Sequence, residues 1–275
     1  MSVIGAASCS IADAEREEYV MATINLTGGS MATKAADPDE SLITDISLMV
    51  FDEHGDAEEC TWLTDGRTSY RMRLIKGKKY IICACANFGY RVYADNIAEL
   101  DEITYHLAYP DEYREGIPMC ARTETVVTKD SEISVTLERL MSKISLKIDR
   151  TMLSEDVEMN VRSALIGNCP RVTKVFTGNR AEDEDDCFPL GFYRNELQTA
   201  GLNSDAGGGV SREISLYMLE NLQGEMPFHV GNDNDKIFSS NDLRSQTCSY
   251  IELEMEYSSD TYISGSEGLI YRFYL

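Results

Sequence analysis

Apolar and polar residues alternate with a period of two along most of the chain, whereas the 3.6-residue spacing of an amphipathic helix is rare. A period of two places successive side chains on opposite faces of a β-strand, so that one face can be buried. The clearest alternating segments are 20–26, 46–51, 214–218 and 251–257. The sequence therefore predicts an all-β protein.

A change of parity inside one strand-like segment indicates where two sheets meet. Apolar residues occupy odd positions over 133–137 and even positions over 140–148. Because side chains alternate strictly along a strand, the buried face must change at Glu138 and Arg139. A β-bulge inside one sheet is one interpretation. We favour the other, in which the last strand of one β-sandwich runs directly into the first strand of the next, because Glu138 lies near the midpoint of the chain.

This interpretation predicts two tandem β-sandwich domains, over residues 19–138 and 139–275, after an N-terminal segment 1–18. The length of 275 residues suits two domains of about 100–150 residues each. No internal repeat of short, fixed period is visible, which argues against a solenoid or a propeller.

The net charge excludes several classes of partner. Asp and Glu number 47 against 25 Lys and Arg, which gives a formal charge of −22 at pH 7. Nucleic-acid binding and docking on anionic lipid headgroups both need a basic face. No apolar run reaches the roughly 18 residues that a membrane-spanning helix needs. We therefore predict no nucleic-acid partner and no transmembrane helix.

The cysteines and histidines show no catalytic or metal-binding spacing. The eight Cys form no C-x-x-C pair, and Cys83 and Cys85 should share one sheet face as small packing residues. His54, His106 and His229 lie outside any recognised catalytic or zinc motif. The sequence thus predicts no enzyme, no metal site and no cofactor, and an acidic surface hydrolase is the interpretation we favour least.

Two acidic segments carry the hard oxygen ligands that calcium requires, Glu182–Asp186 and Asn232–Asp235. Both lack the glycine and the distal bidentate Glu of an EF-hand loop. We predict solvated loops there, with calcium binding as the open alternative. A third segment, Gly201–Gly209, also has the composition of a surface loop.

The two ends of the chain each allow more than one interpretation. The small apolar residues before Cys9 are similar to the end of a bacterial lipobox, in which the Cys is lipidated, although Ala6 stands where Leu is usual. An ordinary flexible N-terminus fits the same residues. The final segment 269–275 predicts an aromatic-rich strand, and a natural chain that continues beyond Leu275 is one expectation.

Six segments share their order and spacing with one family. They are Ile46–Gly55, Lys76–Asn87, Ile133–Ile148, Asn168–Gly178, Ser215–Gly224 and Ser249–Leu275, with its Tyr-Arg-Phe-Tyr-Leu close. Together they resemble the FimB-type fimbrial subunits of Bacteroidales, which belong with the minor, anchor and tip fimbrillins of type V pili. The most specific segment is 216–224, which ends in Glu-Asn-Leu-Gln-Gly. Family members commonly continue past the closing strand into a further one, and this sequence departs from them there.

The resemblance implies a fold, a location and a set of partners. The implied fold is a tandem of two transthyretin-like (Ig-like, Greek-key) β-sandwiches. The implied location is the cell outer membrane, exposed at the surface in a fimbrium, with a lipid on Cys9. The implied partners are other fimbrial subunits, joined by strand exchange, with this chain at the base or as a minor or tip subunit. The alternative function is a surface lipoprotein whose sandwich binds a glycan or a host protein.

Overall fold

The computed structural model is almost entirely β-structure and confirms the all-β, β-sandwich class. The structure describes residues 17–28, 40–178, 180–190, 196–205, 209–223, 244–264 and 268–275. Within these segments, no helix combines the length and the hydrophobicity that crossing a bilayer requires.

The N-terminal strands form one seven-stranded sheet in the order β3-β2-β5-β7-β8-β1-β4. The elements are β1 (Tyr19–Gly28), β2 (Ile46–Phe51), β3 (Ala57–Leu63), β4 (Ser69–Ile75), β5 (Lys79–Ala86), α1 (Ile97–Asp101), β6 (Thr104–His106), β7 (Met119–Val126) and β8 (Ser131–Arg139). β7 and β8 are joined only through Met119 and Cys120, opposite Arg139 and Glu138. Beyond those pairs β8 runs parallel to β1. The sheet therefore folds over at β8 into two layers.

The alternating residues of the sequence fill the space between these two layers. The inward face of β1, predicted from the period of two, is buried at all four positions from Val20 to Leu26. It packs with Ile133, Val135 and Leu137 of β8. β5 lies between β2 and β7 and is buried on both faces. The turn after β2 contains Gly55, whose φ of 88° favours glycine.

The C-terminal strands form a four-stranded sheet, β12-β10-β14-β15, and a separate pair, β13-β9. The elements are β9 (Met141–Leu146), β10 (Glu158–Pro170), β11 (Val172–Lys174), β12 (Cys187–Leu190), α2 (Glu196–Leu202), β13 (Ile214–Leu219), α3 (Arg244–Thr247), β14 (Tyr250–Ser258) and β15 (Leu269–Tyr274). The two sheets enclose a second apolar core between β10 and β14 on one side and β9 and β13 on the other.

The change of face predicted at Glu138 and Arg139 coincides with a break between strands. Leu140 belongs to no strand, β8 before it pairs with β7 and β1, and β9 after it pairs with β13. The parity changes because the two strands bury their side chains in different cores. The change is therefore not a bulge inside one continuous strand.

A third apolar cluster joins the two groups of strands. The outer face of β2 and β5, with Phe51 and Cys85, packs against Tyr217 and Leu219 of β13. The three-residue strand β6 pairs with β11, so hydrogen bonds also cross between the groups. The region between β5 and β7 contains α1, β6 and a 3₁₀ turn at Glu112–Glu115.

One predicted loop is partly wrong. Gly201 and Leu202 of the expected loop Gly201–Gly209 are the last residues of α2, and Leu202 is fully buried against Val161 and Ala164. The glycine and serine content hid a helix end, because a single buried Leu contributes too little periodicity to show in the sequence.

Candidate assembly surface

The edge strand β15 exposes an apolar stripe on the inward-facing side of its sheet. Leu269, Tyr271 and Phe273 lie opposite Met255, Leu253 and Ile251 of β14. Directly opposite residues of an antiparallel pair point to the same face. The three β14 side chains are buried in the C-terminal core. Tyr271 and Phe273, on the same face, are 47% and 51% exposed, and Leu275 beyond them is 56% exposed.

The stripe is exposed because the opposite layer is too narrow to reach it. β13 packs Leu216 and Met218 against β10 and β12. β9 packs Ile144 and Leu146 in the core that holds β10 and β14. Among the strands that the structure describes, only β13 pairs with β9. One further strand beside β9 would extend this layer over β15.

The outward face of β15 is fixed in place by polar and aromatic contacts. Arg272 Nε donates a hydrogen bond to Glu252 Oε2 at 2.6 Å, and its guanidinium lies 5.0 Å from the centre of the Tyr250 ring. Tyr250 and Tyr274 make an edge contact at 5.6 Å. The hydrogen bond that Arg272 donates to Glu252 is the main reason that the pKa of Arg272 is raised. β15 is thus held by contacts on its outward face, whereas the apolar side chains on its inward face are exposed to solvent.

The end strands of the seven-stranded sheet are different in character. β4 points Arg71 and Arg73 outward and buries Leu74 inward. β3 carries Glu58 and Glu59 beside Trp62, its one exposed large apolar residue. Charged edges of this kind discourage pairing with another chain. The apolar stripe on β15 therefore distinguishes the C-terminal edge from these two.

The predicted lipidation site and two further sequence features lie outside the residues that the structure describes. These are Cys9, His229 and the segment 232–235. The other two histidines are exposed surface residues. His54 Nε2 lies 3.8 Å from Glu53 Oε1, and His106 Nε2 lies 2.9 Å from Thr104 Oγ1.

The cysteines in the described segments form no disulfide in the structure. Cys83 and Cys85 are fully buried in the cluster that joins the strand groups, which confirms their predicted role as small packing residues. Burial raises the pKa of Cys83 to about 11. A thiol with so high a pKa is a poor nucleophile at neutral pH.

The acidic segment 182–186 is structured by its own carboxylates. It forms a 3₁₀ turn in which Asp183 Oδ1 accepts from the Asp185 amide at 2.9 Å and Asp186 Oδ2 accepts from the Glu182 amide at 2.9 Å. These oxygens are occupied by backbone donors. The described residues contain no group of three acidic, His or Cys side chains placed to hold a metal ion.

The chain is thus a β-sandwich protein with an open apolar flank and charged end strands. Residues 22–161 of the chain match the family model of the major fimbrial subunit protein FimA. The chain belongs to this family, which confirms the resemblance to fimbrial subunits. No curated protein matches the sequence.

Solved structures support the same fold. A candidate cell adhesion protein from Bacteroides eggerthii superposes with a TM-score of 0.57 at 14% identity, over 94% of this chain and 80% of that one. The fimbrilin FimA from Porphyromonas gingivalis gives a TM-score of 0.53 at 13% identity, over 92% of this chain and 80% of that one. Both are similar to this chain in fold.

Family membership establishes the general role. The protein is a structural subunit of a cell-surface fimbrium that associates with other fimbrial subunits, and it is not an enzyme. The sequence located β15 as an aromatic strand, but it gave no sign of which face would be left uncovered. That depends on the width of the opposite layer.

Proposed function

We propose that this chain is a lipid-anchored base subunit of the fimbrium, and that it receives a strand of the next subunit on the open flank of its C-terminal sandwich. The observation that carries the proposal is the exposed stripe of Tyr271, Phe273 and Leu275 on the core face of β15. A strand from another subunit is the occupant that the family's role in fibre assembly favours.

The incoming strand fits beside β9 in the narrow layer rather than at the edge of β15. A strand added to the edge of β15 would extend that sheet but leave the stripe in water. A strand beside β9 would pair with the β9 backbone on the side away from β13 and place every second side chain on Tyr271 and Phe273. Main-chain hydrogen bonds would supply affinity and the alternating contacts would supply register. Such head-to-tail contacts produce a fibre.

Charge on the stripe tests this mechanism. In the full chain, Tyr271→Lys combined with Phe273→Lys should leave a folded monomer but abolish heat-labile, detergent-resistant oligomers with a co-expressed stalk fimbrillin. Ile270→Lys is the matched control, because Ile270 is 60% exposed on the opposite face of the same strand. Oligomers that survive the double substitution would refute strand addition at this flank.

The anchoring part of the proposal concerns Cys9 and the segment 1–18. One acyl chain gives only marginal membrane binding, whereas the several chains of a bacterial lipoprotein give stable anchoring. Cys9→Ala, expressed behind an intact signal peptide, should abolish palmitate labelling and release the protein from the outer membrane. Ser10→Ala is the control. A Cys9→Ala protein that still fractionates with the outer membrane would refute the lipid anchor, whatever the outcome at β15.

The domain boundaries 19–138 and 139–275 are part of the same proposal, as two transthyretin-like sandwiches. The break at Leu140 and the separate cores on its two sides support them. Because both groups of strands contribute side chains to the apolar cluster around Phe51 and Tyr217, we expect the two sandwiches to move together rather than independently. Limited proteolysis should cut within loops before it cuts at Leu140, and early cleavage at Leu140 would contradict this.

The alternative function, glycan binding, has one observation in its favour. A cavity of about 530 Å³ lies where β7 and β8 diverge beside β9 and β11. It is lined by hydroxyl and carboxylate side chains that include Ser134, Thr136, Glu138 and Glu220. Its size falls within the range of small-ligand sites. Glycan-array binding by the isolated monomer, lost in Glu138→Ala, would support this alternative, and an array without binding would exclude it.

A further inference from the structure

Cys85 on β5 and Cys120 on β7 lie directly opposite each other on neighbouring antiparallel strands. Residues in such positions have Cα atoms about 4.5–5.5 Å apart and side chains on the same face. A disulfide requires Cα atoms about 4.4–6.8 Å apart. We propose that these two cysteines are a disulfide-forming site, which is closed when the protein is oxidised outside the cytoplasm.

The strand register selects this pair over the other cysteines of the same face. Cys83 lies opposite Arg122 on β7 and opposite Met49 on β2. Cys60 is itself opposite Met49, so a whole strand separates it from Cys83, at roughly twice the 4.8 Å strand spacing. Cys83 and Cys85 are two residues apart on one strand, and their side chains run side by side. Of these four cysteines, only Cys85 and Cys120 lie directly opposite each other on neighbouring strands.

The surroundings give an order to the chemistry. Cys120 lines the cavity of about 530 Å³ at the junction of the strand groups, whereas Cys85 is fully buried behind it. The Cys120 thiolate attacks one sulfur of a disulfide donor and releases a donor thiol, leaving a mixed disulfide. The Cys85 thiolate then attacks the Cys120 sulfur and releases the second donor thiol. Two cysteine thiols are oxidised and one donor disulfide, of a thiol–disulfide oxidoreductase or a small disulfide, is reduced.

The folded protein slows this reaction. Burial raises the pKa of Cys120 to about 12 and the pKa of Cys85 well above its ordinary value. The Cys120 thiol also donates to the Val175 carbonyl at 3.0 Å, a contact that the disulfide would replace. Because thiolate is scarce in the closed core, the bond forms late in folding, when Cys85 is already covered and Cys120 is still accessible to the donor.

The disulfide would join the two ends of the segment between Cys85 and Cys120, which contacts both groups of strands. Between Cys85 and Cys120 the chain carries Tyr105 and Tyr113 into the shared cluster, and its strand β6 pairs with β11. Closing the loop between Cys85 and Cys120 removes conformational entropy from the unfolded chain. The link would therefore secure the contact between the two groups in a subunit that bears load in a fibre.

Thiol counting on the full chain tests the proposal. We would refold it in a mixture of reduced and oxidised glutathione, denature it, alkylate it and measure the intact mass, with a fully reduced sample as reference. The expected result is six alkylated cysteines of the eight. Non-reducing peptide mapping should show one crosslink, between the peptides of Cys85 and Cys120, and a higher Tm that falls when reductant is added.

Variants locate the bond independently of stability. Cys83→Ala should keep the crosslink, whereas Cys85→Ala or Cys120→Ala should each lose it. The wild-type map stands by itself where a variant fails to fold. Eight alkylated thiols after oxidative refolding, or a crosslink between any other pair, would overturn the proposal.

Discussion

The carboxylate of Glu40 accepts a hydrogen bond from the Tyr217 hydroxyl at 2.7 Å, across 177 residues of sequence. The same oxygen accepts from Lys143 Nζ at 2.6 Å. Arg139 donates to the Glu40 carbonyl at 2.9 Å. Only 11% of the Glu40 side chain is exposed. This contact ties the segment before β2 to β9 and β13 at the junction of the two strand groups.

Replacing Glu40 by Gln should destabilise the protein at neutral pH by about 1–3 kcal/mol, because Lys143 and Arg139 then keep partly buried charges without their partner. Burial opposes ionisation of Glu40, but the hydrogen bonds from Lys143 and Tyr217 and the nearby positive charges prevail and lower its pKa. A lowered folded-state pKa stabilises the protein above the ordinary pKa of 4.5, and this stabilisation is lost as pH falls through the folded value.

Urea denaturation at several pH values checks this pH dependence. The difference in unfolding free energy between the wild type and Glu40→Gln should be constant above about pH 5 and shrink at lower pH. Glu132→Gln on the exposed face of β8 is the control and should change stability by less than about 0.5 kcal/mol. A difference that stays constant down to pH 3 would contradict the role of the Glu40 charge.

The side chain of Asn87, just after the end of β5, hydrogen-bonds to three backbone groups. Its Oδ1 accepts from the Thr44 amide at 2.8 Å, and its Nδ2 donates to the Leu42 and Ile117 carbonyls, each at 2.8 Å. Its φ is 61°, in the left-handed region that Asn tolerates better than most residues. Asn87→Ala should lose about 2–4 kcal/mol of stability, because buried backbone groups are left unpaired and the backbone is strained.

Thermal denaturation of Asn87→Ala beside Asn25→Ala measures this effect. Asn25 accepts one exposed hydrogen bond, from Ser69 Oγ at 3.0 Å. Its replacement should cost about 1 kcal/mol or less. Equal losses of stability in the two variants would show that the Asn87 hydrogen bonds stabilise the protein no more than the exposed Asn25 bond does.

Arg150 is a large side chain buried inside the C-terminal group, with 2% of its surface exposed. Its Nε donates to the Met159 carbonyl at 3.1 Å and one terminal nitrogen donates to the Leu202 carbonyl at 2.9 Å, which joins β10 to the end of α2. Arg150→Met keeps the length but leaves both carbonyls without a donor. We expect a loss of about 2–4 kcal/mol and faster amide hydrogen exchange in α2.

Arg162→Met is the comparison for Arg150. Arg162 pairs with Glu254 and Glu256 on the surface, where an ion pair contributes little to stability. Similar destabilisation and similar exchange in the two variants would indicate that Arg150 does not hold α2 in place.

The strands that could be predicted are those with one face in a core and one in water. β1 and β14 fit this description, and each shows a period of two in the sequence. The parity change at Glu138 was informative for the same reason, because two cores impose opposite phases on one stretch of chain. On the polar face of β14, Glu252 and Glu254 are only partly exposed, since they pair with Arg272 and Arg162.

The features that could not be predicted depend on distant parts of the chain. β6 has three residues, too few for a period to show, and it exists because β11 lies beside it. Glu40 follows a polar segment and looks solvated in the sequence, yet Tyr217 and Lys143 enclose it. The final segment 269–275 has apolar residues on both faces. Which face of β15 stays exposed could therefore be identified only from the position of β9.

Gly167 couples the interior of the C-terminal sheet to the candidate assembly surface. It lies opposite Tyr250, whose ring covers it, and a Cβ added at Gly167 would overlap the ring carbon Cζ. Gly167→Ala must therefore displace the ring, which also contacts Tyr274 and Arg272 of β15. We expect a loss of about 1–3 kcal/mol and faster hydrogen exchange in β15.

Two comparisons distinguish this ring displacement from a general cost of Ala in a strand. Gly28→Ala is the control, since a Cβ there would lie 3.8 Å from Met119 Sδ, an ordinary contact. Removing the ring with Tyr250→Val should make Gly167→Ala nearly harmless, so the double variant should be more stable than the sum of the single losses predicts. Contacting residues commonly couple by about 0.5–3 kcal/mol. Additive losses would mean that Tyr250 is not what Gly167 accommodates, and that β15 is held by its own contacts with β14.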